Sequence, residues 1–286
     1  MPLFLINGAR PGPRLTVTAG VHGAEYASIE AALRLGRSLD PATLSGQVVV
    51  APIVNPLAFS ARSIYVTPVD GKNLNRQFPG RAGGTFSEAL AHWLYESLLR
   101  PSDAYIDLHG GDLVEALEPF SIIASTGDDA VDQASLDLAN AFGIHYVLRG
   151  ETPGSTYQAA ARAGVPAVLA EAGGQGIWAE ENVNLLANGV RRVMHHLGMV
   201  SAQPEAPQEA PILLKRWSWL RAEHDGLFYP QVQVGQQVTE GQDLGAVTDV
   251  FGDPVQPVTA PISGVVLFLV TSLAMNQGDP LLAIAA

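Results

Sequence analysis

The strongest constraint on this chain's fold is a change of rhythm near residue 200. From residue 14 to about 200, short β-branched runs alternate with segments of helical periodicity, the signature of a layered α/β domain. Past residue 212 the β runs recur about every ten residues between Gly, Asp and Pro, with no helical period, the signature of an all-β unit. Between them, residues 201–211 are mostly Pro, Ala, Gln and Glu, a linker composition. The expected organisation is an α/β catalytic domain over 1–200, a linker over 201–211 and an all-β domain over 212–286.

Within the first part, strands are expected at 14–19 and 47–53, and helices at 26–39 and 86–99. Leu90, Trp93, Leu94 and Leu98 give the 86–99 helix one apolar face. Two further buried strands, 104–108 and 165–169, each run directly into a polar residue and glycines, as strand ends do where they open onto a site. A helix over 179–197 closes the domain. The second part repeats weakly, Gly226-Leu-Phe and Glu240-Gly-Gln-Asp-Leu244 being echoed by Gly264-Val-Val and Gln277-Gly-Asp-Pro-Leu281 at an offset of 37 to 38 residues. It is similar to the lipoyl and biotinyl carrier fold, a barrel-sandwich. No lysine follows Lys215, so covalent attachment of biotin or lipoate is excluded, and the expected role is to cap or pack on the first domain.

Composition removes several classes of function. The net charge is −12 and Lys72 and Lys215 are the only lysines, so no basic stripe exists to neutralise phosphates, and neither nucleic acid nor an acidic membrane surface is an expected partner. The apolar start is cut by Asn7-Gly8 without a preceding cation, unlike a signal peptide. The later apolar run at 265–270 is far below a membrane span. A soluble, cytoplasmic protein is expected. With no cysteine, disulfides, thiolate zinc sites and thiol nucleophiles are absent together, and any metal falls to His, Asp and Glu.

Three segments offer such ligands. In Gly20-Val-His-Gly-Ala-Glu25, His22 and Glu25 lie three apart, just after the first strand and at the mouth of a helix. His-x-x-Glu alone is common by chance. It gains weight from His109, at the carboxyl end of a buried strand, where open α/β sheets bind ligands. Two His and one Glu leave a fourth zinc position open, the catalytic pattern. Glu171 follows an apolar strand, where a carboxylate is costly to bury without a partner. Asp107 either orients His109 or faces away, and is kept outside the catalytic set. Of the remaining histidines, His195 and His196 lie on the closing helix, His92 lies on an amphipathic helix, and His145 and His224 lack acidic partners at ligand spacing.

These residues carry a resemblance. Gly20–Glu25, Asn55-Pro-Leu-Ala-Phe59 with Arg62, Asp70-Gly-Lys-Asn-Leu-Asn-Arg-Gln-Phe-Pro-Gly80, Asp107-Leu-His-Gly110 and Glu171-Ala-Gly173 appear in the order found in the succinylglutamate desuccinylase/aspartoacylase family. That family is related to the zinc carboxypeptidases, and the chain is most similar to its bacterial deacylase branch, whose carboxyl-terminal β domain is carrier-like. The resemblance implies an α/β/α core with a mixed sheet and one zinc per chain held by His22, Glu25 and His109. It casts Glu171 as the base toward the attacking water, Arg62 as the carbonyl-polarising cation, and Asn75 with Arg76 as the grip on a substrate carboxylate, a task suited to forked guanidinium donors. The implied activity is hydrolysis of the amide bond of a small N-acylated amino acid or related amine. The motifs alone leave open a carboxypeptidase acting on short peptides and a non-catalytic metal-binding protein. They also leave open the acyl group, the amine and whether the chain forms a homo-oligomer.

Overall fold

The structure, a computed structural model, describes residues 1–202, 204–207 and 209–286. Positions 203 and 208 of the expected linker lie outside the described residues. In chain order the first part comprises β1 (Phe4–Asn7), β2 (Arg10–Ala19), α1 (Tyr26–Ser38), β3 (Ser45–Ala51), α2 (Pro56–Ala61), α3 (Phe86–Leu94), β4 (Ala104–His109), β5 (Glu115–Leu117), β6 (Phe120–Ile123), α4 (Asp129–Phe142), β7 (Tyr146–Arg149), α5 (Thr156–Arg162), β8 (Ala167–Glu171), α6 (Glu180–His196) and β9 (Ile212–Leu214). Eight of the strands form one mixed sheet in the order β1-β3-β2-β4-β8-β6-β7-β9. The four central strands β3, β2, β4 and β8 are parallel, and β1 and β6 run against their inner neighbours.

Strand alternation explains the layering. Successive side chains on a strand point to opposite faces. On β4, Ala104, Ile106 and Leu108 join the core under α1, α4 and α6, with Leu35, Phe142 and Val190. Tyr105 points the other way, into the core with Leu94 of α3 and Ala160 of α5. Both faces are therefore covered by helices, which is why the central strands read as near-continuous apolar runs. Asp107 and His109 share the face of Tyr105 through the same two-residue period.

Several boundaries differ from the sequence pattern. The strand expected at 14–19 starts at Arg10, and β1 adds an edge strand from the apolar start of the chain. The helix expected over 86–99 is α-helical to Leu94 and continues as a wider π turn, Tyr95–Leu99, with Leu94 and Leu98 still buried. Ile212–Leu214, grouped by its pattern with the all-β part, extends the large sheet by pairing with β7. Periodicity identifies a strand but not the strand that it will pair with.

The remaining strands are β10 (Trp217–Arg221), β11 (Gly226–Pro230), β12 (Gln237–Val238), β13 (Asp243–Thr248), β14 (Pro254–Thr259), β15 (Gly264–Val270), β16 (Ala274–Met275) and β17 (Pro280–Ala285). They form two antiparallel sheets, β10-β17-β15-β12 and β14-β13-β11-β16. One shared core, including Phe228, Leu244, Val266 and Ile284, lies between them. The first sheet also recruits β5 from the α/β part, with Glu115 opposite Val270 and Leu117 opposite Phe268. No helix among the described residues is long and apolar enough to cross a membrane.

The turn that carries His22 is fixed by close backbone packing. A methyl group on Gly23 would lie 2.1 Å from the carbonyl carbon of Ala58 and 2.2 Å from the nitrogen of Phe59, main-chain atoms of α2 that cannot rotate aside. Gly23→Ala is expected to destabilise the protein by about 1–3 kcal/mol through overpacking, read as a lower midpoint in thermal unfolding.

Candidate active site

The candidate site forms where neighbouring parallel strands end. β2, β4 and β8 are adjacent, with Leu108 in register opposite Ala19 and His109 opposite Glu171. Past β2 the chain reverses at Gly20, whose φ of 66° suits a residue without Cβ. That turn brings His22 back over the sheet edge and places Glu25 at the start of α1. A histidine, a histidine–glutamate pair and a second glutamate thus converge from three strands at the carboxyl edge of the sheet, the usual ligand position in α/β folds.

The hydrogen bonds around the two imidazoles fix which nitrogen carries hydrogen. His109 Nε2 lies 3.0 Å from Asp107 Oδ2; an ionised carboxylate only accepts, so Nε2 donates and Nδ1 keeps its lone pair. His22 Nε2 lies 3.1 Å from Asn73 Oδ1, which also accepts the Asn75 N–H at 2.8 Å, so Nε2 again donates. The two free Nδ1 atoms both face Glu25, at 2.7 Å from Oε1 for His22 and 3.0 Å from Oε2 for His109. Lone pairs therefore face lone pairs, an arrangement that requires a cation between them. Glu25 Oε2 is buried and accepts no hydrogen bond.

One ligand atom from each of His22, Glu25 and His109 lies within 4.8 Å of the others. The donor set fits a divalent metal. Without a metal, protons answer the same demand. Burial lowers the pKa of both imidazoles, but the Glu25 carboxylate outweighs it for each, and Asp107 adds to the effect at His109, which ends well above the usual range. Burial raises the pKa of Glu25, but His109 and His22 together hold it down at about 2.

One cavity of about 150 Å³ contains this cluster together with Glu171, Asn75 and Arg76. Glu171 Oε2 is buried without a hydrogen-bond partner. Burial raises its pKa well above the usual carboxylate range; Glu25, Glu115 and Asp107 reinforce the shift and His109 alone opposes it. Such a carboxyl group is suited to taking up and releasing a proton. Asn75 is buried, its Oδ1 accepting the Thr156 N–H at 3.0 Å. The neighbouring Arg76 is exposed, and its Nη1 donates to the Asn75 carbonyl at 2.6 Å. Among the described residues no carboxylate pairs with Arg76, so its remaining donors are available. Arg62 is not brought to the cavity: it is exposed and caps the end of α2 in the left-handed conformation, φ 53°.

Further residues at the cavity, or directly behind it, stood outside the expected site set. Asp107 accepts from His109, from Thr18 Oγ1 at 2.6 Å and from Thr156 Oγ1, and so holds the His109 ring with Nδ1 toward Glu25. Strand alternation carried that signal, because residues two apart share a face. Asn73 lay within the 70–80 motif. Trp217, Trp219 and Phe268, from β10 and β15, also line the cavity, with ring centroids 5.4 Å apart for the two indoles and 4.8 Å for Trp219 and Phe268. Nothing local in the sequence marks them, since they reach the cavity only through packing of the β sheets on the α/β part.

Comparison with known proteins agrees with this geometry. A model of the succinylglutamate desuccinylase/aspartoacylase catalytic domain matches residues 11–197. An N-alpha-acetyl-L-2,4-diaminobutyric acid deacetylase from Halomonas elongata is 32% identical over 284 residues, which span 96% of this chain and 82% of that protein. The product-bound structure of the ectoine utilization protein EutE (DoeB) from Ruegeria pomeroyi superposes with a TM-score of 0.91 at 27% identity, covering 100% of this chain and 88% of that one. A succinylglutamate desuccinylase/aspartoacylase from Rhodobacter sphaeroides gives the same TM-score and coverage at 29% identity. The ordered motifs, the metal-ready cluster on the sheet edge and these similarities agree: the chain belongs to the succinylglutamate desuccinylase/aspartoacylase family.

Proposed function

We propose that this protein is a zinc-dependent deacylase that hydrolyses the amide bond of small N-acylated amino acids, with acetylated diamino acids as the leading substrates. The observation that carries the reading is the Glu171 carboxyl, whose Oε2 is buried without a partner, in register with His109 and beside three side chains placed to hold a metal. The substrate class follows the activity named for the Halomonas relative.

His22, Glu25 and His109 would hold one zinc ion, which when bound supplies Lewis-acid polarisation of a carbonyl and acidifies water. Glu171 takes a proton from the attacking water and gives it to the amide nitrogen as the C–N bond breaks, so amide and water become carboxylate and amine. Asn75 and Arg76 take the carboxylate of the amino acid, the guanidinium offering two parallel donors. Asp107 holds His109 in the tautomer that keeps Nδ1 free. Arg62, exposed and off the lining, is given no step.

The C-terminal sheets, read as a barrel-sandwich cap, contribute Trp217, Trp219 and Phe268 to the wall. An aromatic wall on a cavity of this size favours a small acyl amino acid over a peptide, whose chain would have to continue through it.

Three measurements test this reading. The zinc-loaded protein should cleave N-acetyl-diaminobutyrate and other N-acetyl amino acids far faster than short peptides; a clear preference for peptides would replace the deacylase by a carboxypeptidase. Glu171→Gln should lower kcat by about 10²–10⁴-fold while elemental analysis still finds one zinc per chain. Asp107→Asn should weaken zinc binding by roughly 10–100-fold in competition with a chelator, with the far-UV circular dichroism unchanged.

A further inference from the structure

Tyr65 lines the cavity and has no task in the reaction as described. It lies three residues beyond Arg62 and also has a left-handed backbone, φ 56°. That conformation is unfavourable for a bulky residue and persists only where the surroundings impose it. Here both ends of the residue are tied to one turn: its N–H donates to Asp112 Oδ2 at 2.9 Å, and its hydroxyl donates to Glu115 Oε1. The turn is itself held. The Asp112 N–H donates to Glu115 Oε2 at 2.7 Å, and the Gln175 N–H is shared between the carbonyls of Asp112 and Glu115, at 2.9 Å each. Glu115 opens β5, which β15 of the C-terminal sheet holds in register. The outcome is a fixed phenol on the cavity wall, its ring edge-on to the His22 imidazole with centroids 6.4 Å apart.

The geometry points to Tyr65 as the hydrogen-bond donor to the carbonyl oxygen of the scissile amide, with Glu115 as its positioning residue. This rests on the deacylase reading above. The carbonyl oxygen gains negative charge as water adds, and a prepositioned O–H in a walled site stabilises that charge more than it stabilises the uncharged carbonyl. Arg62, the residue that the resemblance casts in this part, lies off the lining, whereas Tyr65 is on it.

The phenol remains neutral, because burial and the carboxylates of Glu115 and Asp112 push its pKa up; it is a donor and not an anion. Burial raises Glu115 to about 7, so its protonated form is accessible near neutrality. Protonated Glu115 donates to Tyr65 Oη, and the tyrosine's own hydrogen is then free for the substrate oxygen. Only hydrogen bonds rearrange, and no proton leaves either group.

The test compares zinc-loaded wild type, Tyr65→Phe, Glu115→Gln, Glu115→Ala and Arg62→Ala. Each is measured for turnover of an N-acetyl amino acid, for zinc per chain, and for affinity toward a phosphonate analogue whose tetrahedral anionic oxygens stand in for the adduct. Tyr65→Phe should lower kcat by about 10²-fold at unchanged KM and zinc content, and should weaken the phosphonate by a similar factor without changing affinity for the product amino acid. Glu115→Gln, whose amide can still donate to Oη, should retain most of the kcat that Glu115→Ala loses. Wild-type phosphonate affinity in Tyr65→Phe, or a larger loss of kcat from Arg62→Ala than from Tyr65→Phe, overturns the assignment. Wild-type turnover is a separate arm: a zinc-loaded wild type that cleaves no N-acyl amino acid ends the deacylase reading, and the part played by Tyr65 is then read from phosphonate affinity alone.

Discussion

Everything at this site depends on one unfavourable confrontation, two imidazole lone pairs directed at the Glu25 carboxylate. Asp107 and Asn73 bind the other nitrogen of each ring and remove the tautomer that would relieve the confrontation. In a buried setting, acceptors facing acceptors at hydrogen-bond distance are unstable unless a cation lies between them. The surrounding network therefore selects for a cation, and the chemistry of the donors makes a divalent metal the natural one.

The sheet brings these groups together, since β2, β4 and β8 are parallel and adjacent and their carboxyl ends lie on one edge. Helices on both faces keep the sheet dry, and this shapes the proton affinities: Glu171 is driven upward mainly by burial of its carboxyl, and the buried Glu25 is driven downward by the imidazoles beside it. Two carboxyl groups in one cavity are thus separated in their acid–base behaviour by burial and by their neighbours, a common route to distinct catalytic parts. The C-terminal sheets complete the enclosure through β5, which carries Glu115, and through the aromatic wall of Trp217, Trp219 and Phe268.

Much of the site was legible because its residues are locally encoded. His22 and Glu25 share one tight turn, His109 and Glu171 each end an apolar strand, and Asn75 and Arg76 sit within a dense motif. The sequence left Asp107 open, although the two-residue period that puts it on the face of His109 carried the signal. Arg62 shows the limit of motif reasoning: its place in the chain suggests a part in the reaction, but the left-handed end of α2 leaves it exposed, and a tyrosine three residues on lines the cavity.

By itself the sequence determined the α/β-then-β organisation, the absence of thiol chemistry and the set of side chains able to hold a metal, because periodicity, composition and short spacing are properties of neighbouring residues. Tertiary structure decided which nitrogen of each histidine is free, that Ile212–Leu214 joins the large sheet, that β5 crosses to the other sheet, and that three aromatic residues from the C-terminal part line the cavity. Apart from the Asp107–His109 bond, those outcomes depend on contacts between segments tens to hundreds of residues apart. Strand pairing and side-chain packing make that choice only once the layers have assembled, and no local pattern records it.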